Sequence, residues 1–148
     1  MKTAKSFHWG SFLVFAILSL TFLTSMSASA TVYYVATDGN DGNPGTEALP
    51  WKTIQKAAHS MVAGDTVYIR SGTYNERVIP ENSGSAGNYI TYAAYPGETV
   101  TIDGNNISVP EDEGLFYIHG KSHIKVSGLR VVNSVSYTHL TLPTNREV

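Results

Sequence analysis

Between Val32 and Tyr74 the hydrophobic period changes twice, and that change constrains the fold more than any other feature of the chain. Val32-Tyr33-Tyr34-Val35 is β-branched and aromatic, which suits a half-buried pleated strand. Asp38-Gly39-Asn40-Asp41-Gly42-Asn43-Pro44-Gly45-Thr46 then crowds together turn formers, and no regular element survives there. After Pro50 the period becomes helical. Trp51, Ile54, Ala58 and Met61 recur at three- and four-residue spacings, with Lys52, Gln55, Lys56 and His59 on the other side, so the pattern predicts one amphipathic helix from Trp51 to Val62. Gly64-Asp65 stops it. In the following strand Val67 and Ile69 share one face, and Thr66, Tyr68 and Arg70 the other.

Beyond this point only short apolar runs remain: Tyr89 to Tyr92, Thr99 to Ile102, Leu115 to Ile118, His123 to Val126 and Leu129 to Val131. Gly84, Gly87, Pro96-Gly97, Gly104-Asn105, Gly120 and Gly128 divide them, a punctuation that favours an all-β domain with tight corners. Comparable strands return about every two dozen residues, Ile102 with Ile124 for example, the order of spacing at which each coil of a solenoid is one repeat. A β-sandwich also yields short strands but has no use for one helix between the first two. A stack of coils does. Its terminal coil exposes apolar side chains and strand edges, and a helix laid across it removes four medium-sized side chains from water at about 1 to 3 kcal/mol each.

The two ends carry other signals. Lys2 and Lys5 precede an apolar run from Phe12 to Leu23, and Ala28-Ser29-Ala30 supplies a small-residue cleavage pattern, so residues 1–30 read as a secretory signal peptide. A membrane anchor is the competing reading, but the run is shorter than the roughly 20 residues a spanning helix needs. The expected address is secreted, extracellular or periplasmic, with no membrane association after cleavage. There is no cysteine, hence neither a disulfide framework nor a lipid-attachable thiol. At the other end, VSYTHLTLPT (Val135 to Thr144) reads as an in-frame translation of a sequencing-library adapter. Residues 135–148 are therefore taken as a non-native tail and residues 31–134 as the domain. The domain holds seven Lys/Arg against eleven Asp/Glu, net −4, so a basic face for nucleic acid is not expected.

The segments YYVATDGNDGNPGT, PWKTIQKAA, GDTVYIRSGTY and ENSGSAGNYITYAAYPGETVTIDG resemble the opening of secreted right-handed parallel β-helix proteins of the pectate-lyase-like and chondroitinase-B-like group. The resemblance covers most of residues 32–104. It implies an all-β solenoid, truncated to its N-terminal coils and one capping helix, from a protein that acts on an acidic polysaccharide. For the lyases of this group it implies β-elimination on a uronic acid: a base removes the proton beside the carboxylate and a cation, often calcium, stabilises the developing charge. No position here matches such a catalytic motif. The alternatives are a non-catalytic carbohydrate-binding or adhesion rod and a glycoside hydrolase on the same fold.

Candidate sites are few. Asp38, Asn40 and Asp41 offer oxygens to calcium, although the twelfth position counted from Asp38 is Leu49 where an EF-hand needs Glu, and a plain hydrogen-bonded turn is the alternative. Glu111-Asp112-Glu113 reads as a solvated acidic loop. Arg70, Lys125 and Arg130 alternate with apolar neighbours, project outward and are the candidates for contact with an anionic sugar. Tyr68, Tyr74 and Tyr92 are candidates for stacking on sugar rings. His119 and His123 are separated by a turn at Gly120, which does not bring them together as metal ligands, and Asn106-Ile107-Ser108 fits the glycosylation acceptor pattern.

Overall fold

A computed structural model describes residues 29–134. The expected signal peptide, apart from its last two residues, and the expected tail lie outside the described residues. The elements are β1 (Val32–Val35), α1 (Ile54–Ser60), β2 (Thr66–Ile69), β3 (Gly72–Tyr74), β4 (Ile90–Ala94), β5 (Val100–Asp103), β6 (Ile124–Ser127) and β7 (Leu129–Val132). They form two sheets, ordered β1-β2-β4-β6 and β3-β5-β7, and every strand pair in both is parallel. Parallel neighbours joined by long crossovers rule out the hairpins of a sandwich. The chain is a parallel solenoid.

After β1, which leads through a loop to α1, each coil enters the first sheet, turns a corner at a glycine or short loop, and enters the second. Alternation within the strands sends one set of side chains inward: Tyr33, Val67, Tyr92 and Val126 face one another in register across the first sheet, and Tyr74, Ile102 and Val131 across the second. Val67, Ile69, Ile90, Tyr92, Val100 and Ile102 are fully buried. Coil lengths are uneven: Val67 lies beside Tyr92, but Tyr92 beside Val126. Ile102 and Ile124, which the spacing suggests as a repeat, belong to different sheets; their partners are Val131 and Ile90. The long excursion between β5 and β6 breaks the period.

The helix seals one end. Ile54, Ala57 and Ala58 are buried and join Trp51, Met61 and Val35 in the core. It is shorter than the expected Trp51 to Val62 because Thr53, in extended conformation, caps it by accepting the Lys56 amide at 3.1 Å. Trp51 meanwhile extends the β1 edge: its amide donates to the Tyr34 carbonyl (2.9 Å) and its carbonyl accepts from the Ala36 amide (2.9 Å). Met61 leaves the helix at ψ 144° with its amide still donating to Ala57. The indole stacks on Tyr33 at 4.5 Å between centroids, and Gly45, at φ +79°, passes so close that a Cβ there would lie 2.6 Å from the ring.

Leu115 to Ile118, expected as a strand, contributes only an isolated parallel bridge between Phe116 and Val78. The Val78 amide donates to Leu115 and the Tyr117 amide to Val78, and the pairing stops at this one bridge. At the opposite end of the stack, among the described residues, the inward-row residues Val126 and Val131 are 40% and 45% exposed.

Candidate functional site

The outer face of the first sheet carries two side-chain rows. One is polar beyond its first member: Val32, Thr66, Thr91 and Lys125 lie in register. The other begins with two aromatics and ends with two small residues, Tyr34, Tyr68, Ala93 and Ser127. Just past the strand ends, Arg70 and Tyr95 continue this outward face. The three tyrosines form one half-exposed group, with ring centroids 6.0 Å (Tyr34 to Tyr68), 5.9 Å (Tyr68 to Tyr95) and 6.4 Å (Tyr34 to Tyr95) apart. On its far side Tyr68 faces the small Ala93 in register and meets the Tyr95 ring edge-on, at 75° between planes.

Arg70 lies over the Tyr95 ring at 4.5 Å from the centroid. Its Nε donates to both Glu98 carboxylate oxygens at 2.9 and 3.1 Å, and its Nη2 stands 2.8 Å from Oε1. The Glu98 carboxyl is accordingly held below the usual range, first by the Arg70 hydrogen bond and then by the Ser71 amide, and the guanidinium is held above its own. The Tyr34 phenol is pushed up, by partial loss of water first and by the Glu47 carboxylate second. Beside this group opens a cleft of about 490 Å³ lined by Tyr34, Thr37, Asp38, Glu47, Arg70 and Ser71.

The cations singled out in the sequence are not brought together. Arg70 is paired within the tyrosine face, Lys125 stands in the polar row three strands from β1, and Arg130 lies opposite Thr101 on the second sheet. Of the three tyrosines singled out, Tyr68 is outward, whereas Tyr74 and Tyr92 are buried at 4% and 1% exposure. Tyr74 turns inward because the chain corners at Gly72, so the alternation of β2 does not carry into β3; its hydroxyl donates to the Arg70 carbonyl at 2.9 Å. Tyr92 shares the inward face with Ile90 and meets Phe116 edge-on at 5.1 Å. Tyr34 and Tyr95 were the outward rings to find. Alternation from buried Val35 marks Tyr34, and Tyr95 follows Ala93 by two positions.

The oxygens of Asp38, Asn40 and Asp41 are engaged separately, those of Asn40 and Asp41 in hydrogen bonds of the loop and Asp38 at the cleft. Asp41 accepts from the Lys52 amide (2.8 Å), the Thr53 amide (2.9 Å) and the Thr53 hydroxyl (2.8 Å), so both its oxygens tie the loop to the start of α1. Asn40 Oδ1 accepts from the Gly42 amide at 2.8 Å, a turn bond, and Asp38 lines the cleft with Glu47, apart from Asn40 and Asp41. Among the described residues no three His, Asp or Glu side chains gather closely enough to share a cation. Glu113 pairs with Arg77, which also lies over Tyr117; His119 stacks on Tyr117 and His123 meets Tyr89. No described helix is long and apolar enough to cross a membrane.

A family model described as the Pel9A-like right-handed β-helix region matches residues 33–146. The chain belongs to the Pel9A-like β-helix family. Among curated relatives of this Pel9A-like chain, it is 39% identical over 104 residues to the uncharacterized protein YwoF of Bacillus subtilis strain 168, covering 70% of this chain and 22% of that protein. It is 32% identical over 112 residues to pectate lyase PEL9 of Emericella nidulans, covering 68% and 27%. A solved rhamnogalacturonan lyase superposes with a TM-score of 0.57 at 25% identity, over 69% of this chain and 28% of that one. The chain thus spans about a quarter of the length of these relatives. Its fold is that of polysaccharide-lyase-like β-helices.

Proposed function

We propose that this chain is the capped front of an exported polysaccharide lyase that cleaves a uronic-acid-containing polymer by β-elimination. Membership of the Pel9A-like family, with a pectate lyase among the relatives, is the observation that carries the reading. The exposed inward row at Val126 and Val131 supports a stack that continues into further coils, and those coils would hold the base and the calcium. The part played by the described residues is mechanical. Trp51, Ile54, Ala57, Ala58 and Met61 close the first coil against water, so that parallel pairing can propagate from β1 to β7 and later strands start from a fixed register.

The test begins with recovering the downstream coding sequence and expressing the complete protein. Incubation with polygalacturonate, rhamnogalacturonan, alginate and chondroitin, with calcium and with chelator, should give ultraviolet absorbance from unsaturated uronate on at least one polymer. Absence of that signal on all four, in a protein that melts cooperatively, refutes the lyase and leaves a binding rod. The present chain alone is expected to give none.

A further inference from the structure

We propose that the Tyr34, Tyr68 and Tyr95 face, with its adjoining cleft, is a docking site for an uncharged glycan, separate from the acidic polymer of the proposed lyase reaction. Three half-exposed rings with centroids about 6 Å apart, inclined to one another by 39 to 75° and with Arg70 over one face of Tyr95, present a cluster of ring faces and edges wide enough for the CH faces of two adjacent sugar rings, and each carries a hydroxyl at its rim. Nothing in the fold requires them outside. The core of the same coils is already filled by Val35, Val67, Ile69 and Tyr92.

Charge decides the class of ligand. Asp38 and Glu47 line the cleft and Glu98 borders it, against the single guanidinium of Arg70. That guanidinium already binds both oxygens of Glu98 and lies on Tyr95, so a uronate would meet two carboxylates and no free cation. Lys125 is two strands from Tyr68, about 10 Å at the usual strand spacing. Lys52 lines a different cleft with Thr73 and Glu76. Hydroxyl groups of a neutral sugar, by contrast, donate well to Asp38 and Glu47, as carboxylates are acceptors only. The face therefore selects against the polymer that the lyase reading would cleave.

Affinity electrophoresis of the purified chain through gels containing soluble galactan, β-glucan or polygalacturonate distinguishes the possibilities. Retardation is expected with at least one of the two neutral polymers and not with polygalacturonate, and Tyr68→Ala should weaken it about tenfold, the equivalent of one lost ring contact at roughly 1.4 kcal/mol. Tyr68→Phe should retain it, and Tyr34→Ala supplies a second test should Tyr68→Ala lose its circular-dichroism signature. Glu47→Lys should bring polygalacturonate binding in. No retardation by either neutral polymer, or retardation unchanged in both folded alanine variants, overturns the proposal, as does stronger binding to polygalacturonate. None of these outcomes bears on whether the complete protein eliminates uronates.

Discussion

Replacing Asp41 by alanine should destabilise the chain through its cap, and calcium should make no difference. In the structure one carboxylate holds two backbone amides and the Thr53 hydroxyl, all at 2.8 to 2.9 Å. Thr53 is itself the N-cap of α1, so the carboxylate fixes the residue that starts the helix. Hydrogen bonds to charged groups contribute about 1.5 to 3 kcal/mol each. The Lys52 amide is exposed and regains water on loss of its partner, whereas Thr53 is half-buried. The expected loss is therefore about 2 to 4 kcal/mol for Asp41→Ala, and about half of that for Asp41→Asn, which keeps one acceptor oxygen. With a urea slope of roughly 2 kcal/mol/M for a domain of this size, the midpoint should fall by about 1 to 2 M. Tryptophan fluorescence reports it, since Trp51 is stacked on Tyr33 directly beside the loop. Chelator and millimolar calcium should leave the wild-type midpoint unchanged. A wild-type midpoint that falls in chelator, while that of Asp41→Ala does not, would refute the loop-staple account and restore a cation to these oxygens.

Gly45→Ala should cost about 2 to 4 kcal/mol, because it imposes a left-handed conformation on a residue with a Cβ and drives that Cβ into the Trp51 ring; thermal melts measure it. Glu98→Gln should flatten the acid limb of stability. The native Glu98 carboxyl lies below its unfolded value, so its contribution is present above the ordinary glutamate range and disappears as pH falls through the lower native value; urea midpoints at a series of pH values follow that loss. Val67→Ala and Val126→Ala alter residues of the same inward row, yet the first should cost about 2 kcal/mol and the second less than about 1, since only Val67 is fully enclosed. Equal losses in chemical denaturation would mean that Val126 is covered in solution.

The strands were legible where one face is buried and the other wet. β1 coincides with VYYV, and Val67 and Ile69 point inward as period two requires. The helix was legible as a face but not in length, because Trp51 serves the core equally well from a bridge beside β1 and only the Thr53 cap decides where helical dihedrals begin. Tyr74 and Tyr92 were misplaced for different reasons. Tyr74 follows a corner at which the alternation restarts, and Tyr92 has a polar rim that reads as surface although Ile90 two positions earlier fixes its face inward. The tyrosine group was not legible as a group, since Tyr34, Tyr68 and Tyr95 meet only through the register of β1, β2 and β4.

A solenoid separates what identifies a fold from what performs its chemistry. Each coil contacts only the coils on either side, so the pattern of inward apolar rows and glycine corners is stated again in every stretch of a few dozen residues, and the cap marks where it starts. A quarter of a relative's length therefore suffices to show the family. The proposed elimination, by contrast, would need a base, a cation and a sugar carboxylate within a few ångströms, which coils contribute only where particular outward positions of adjacent strands coincide. Here those positions hold Tyr34, Tyr68 and Ala93 in one row and Thr66, Thr91 and Lys125 in the next: stacking surface and hydroxyls, with a cation at the far strand that has no ion-pair partner among the described residues. The first sheet thus becomes less aromatic and more basic away from the cap, and it is toward Lys125 that an anionic chain would find its first complementary charge.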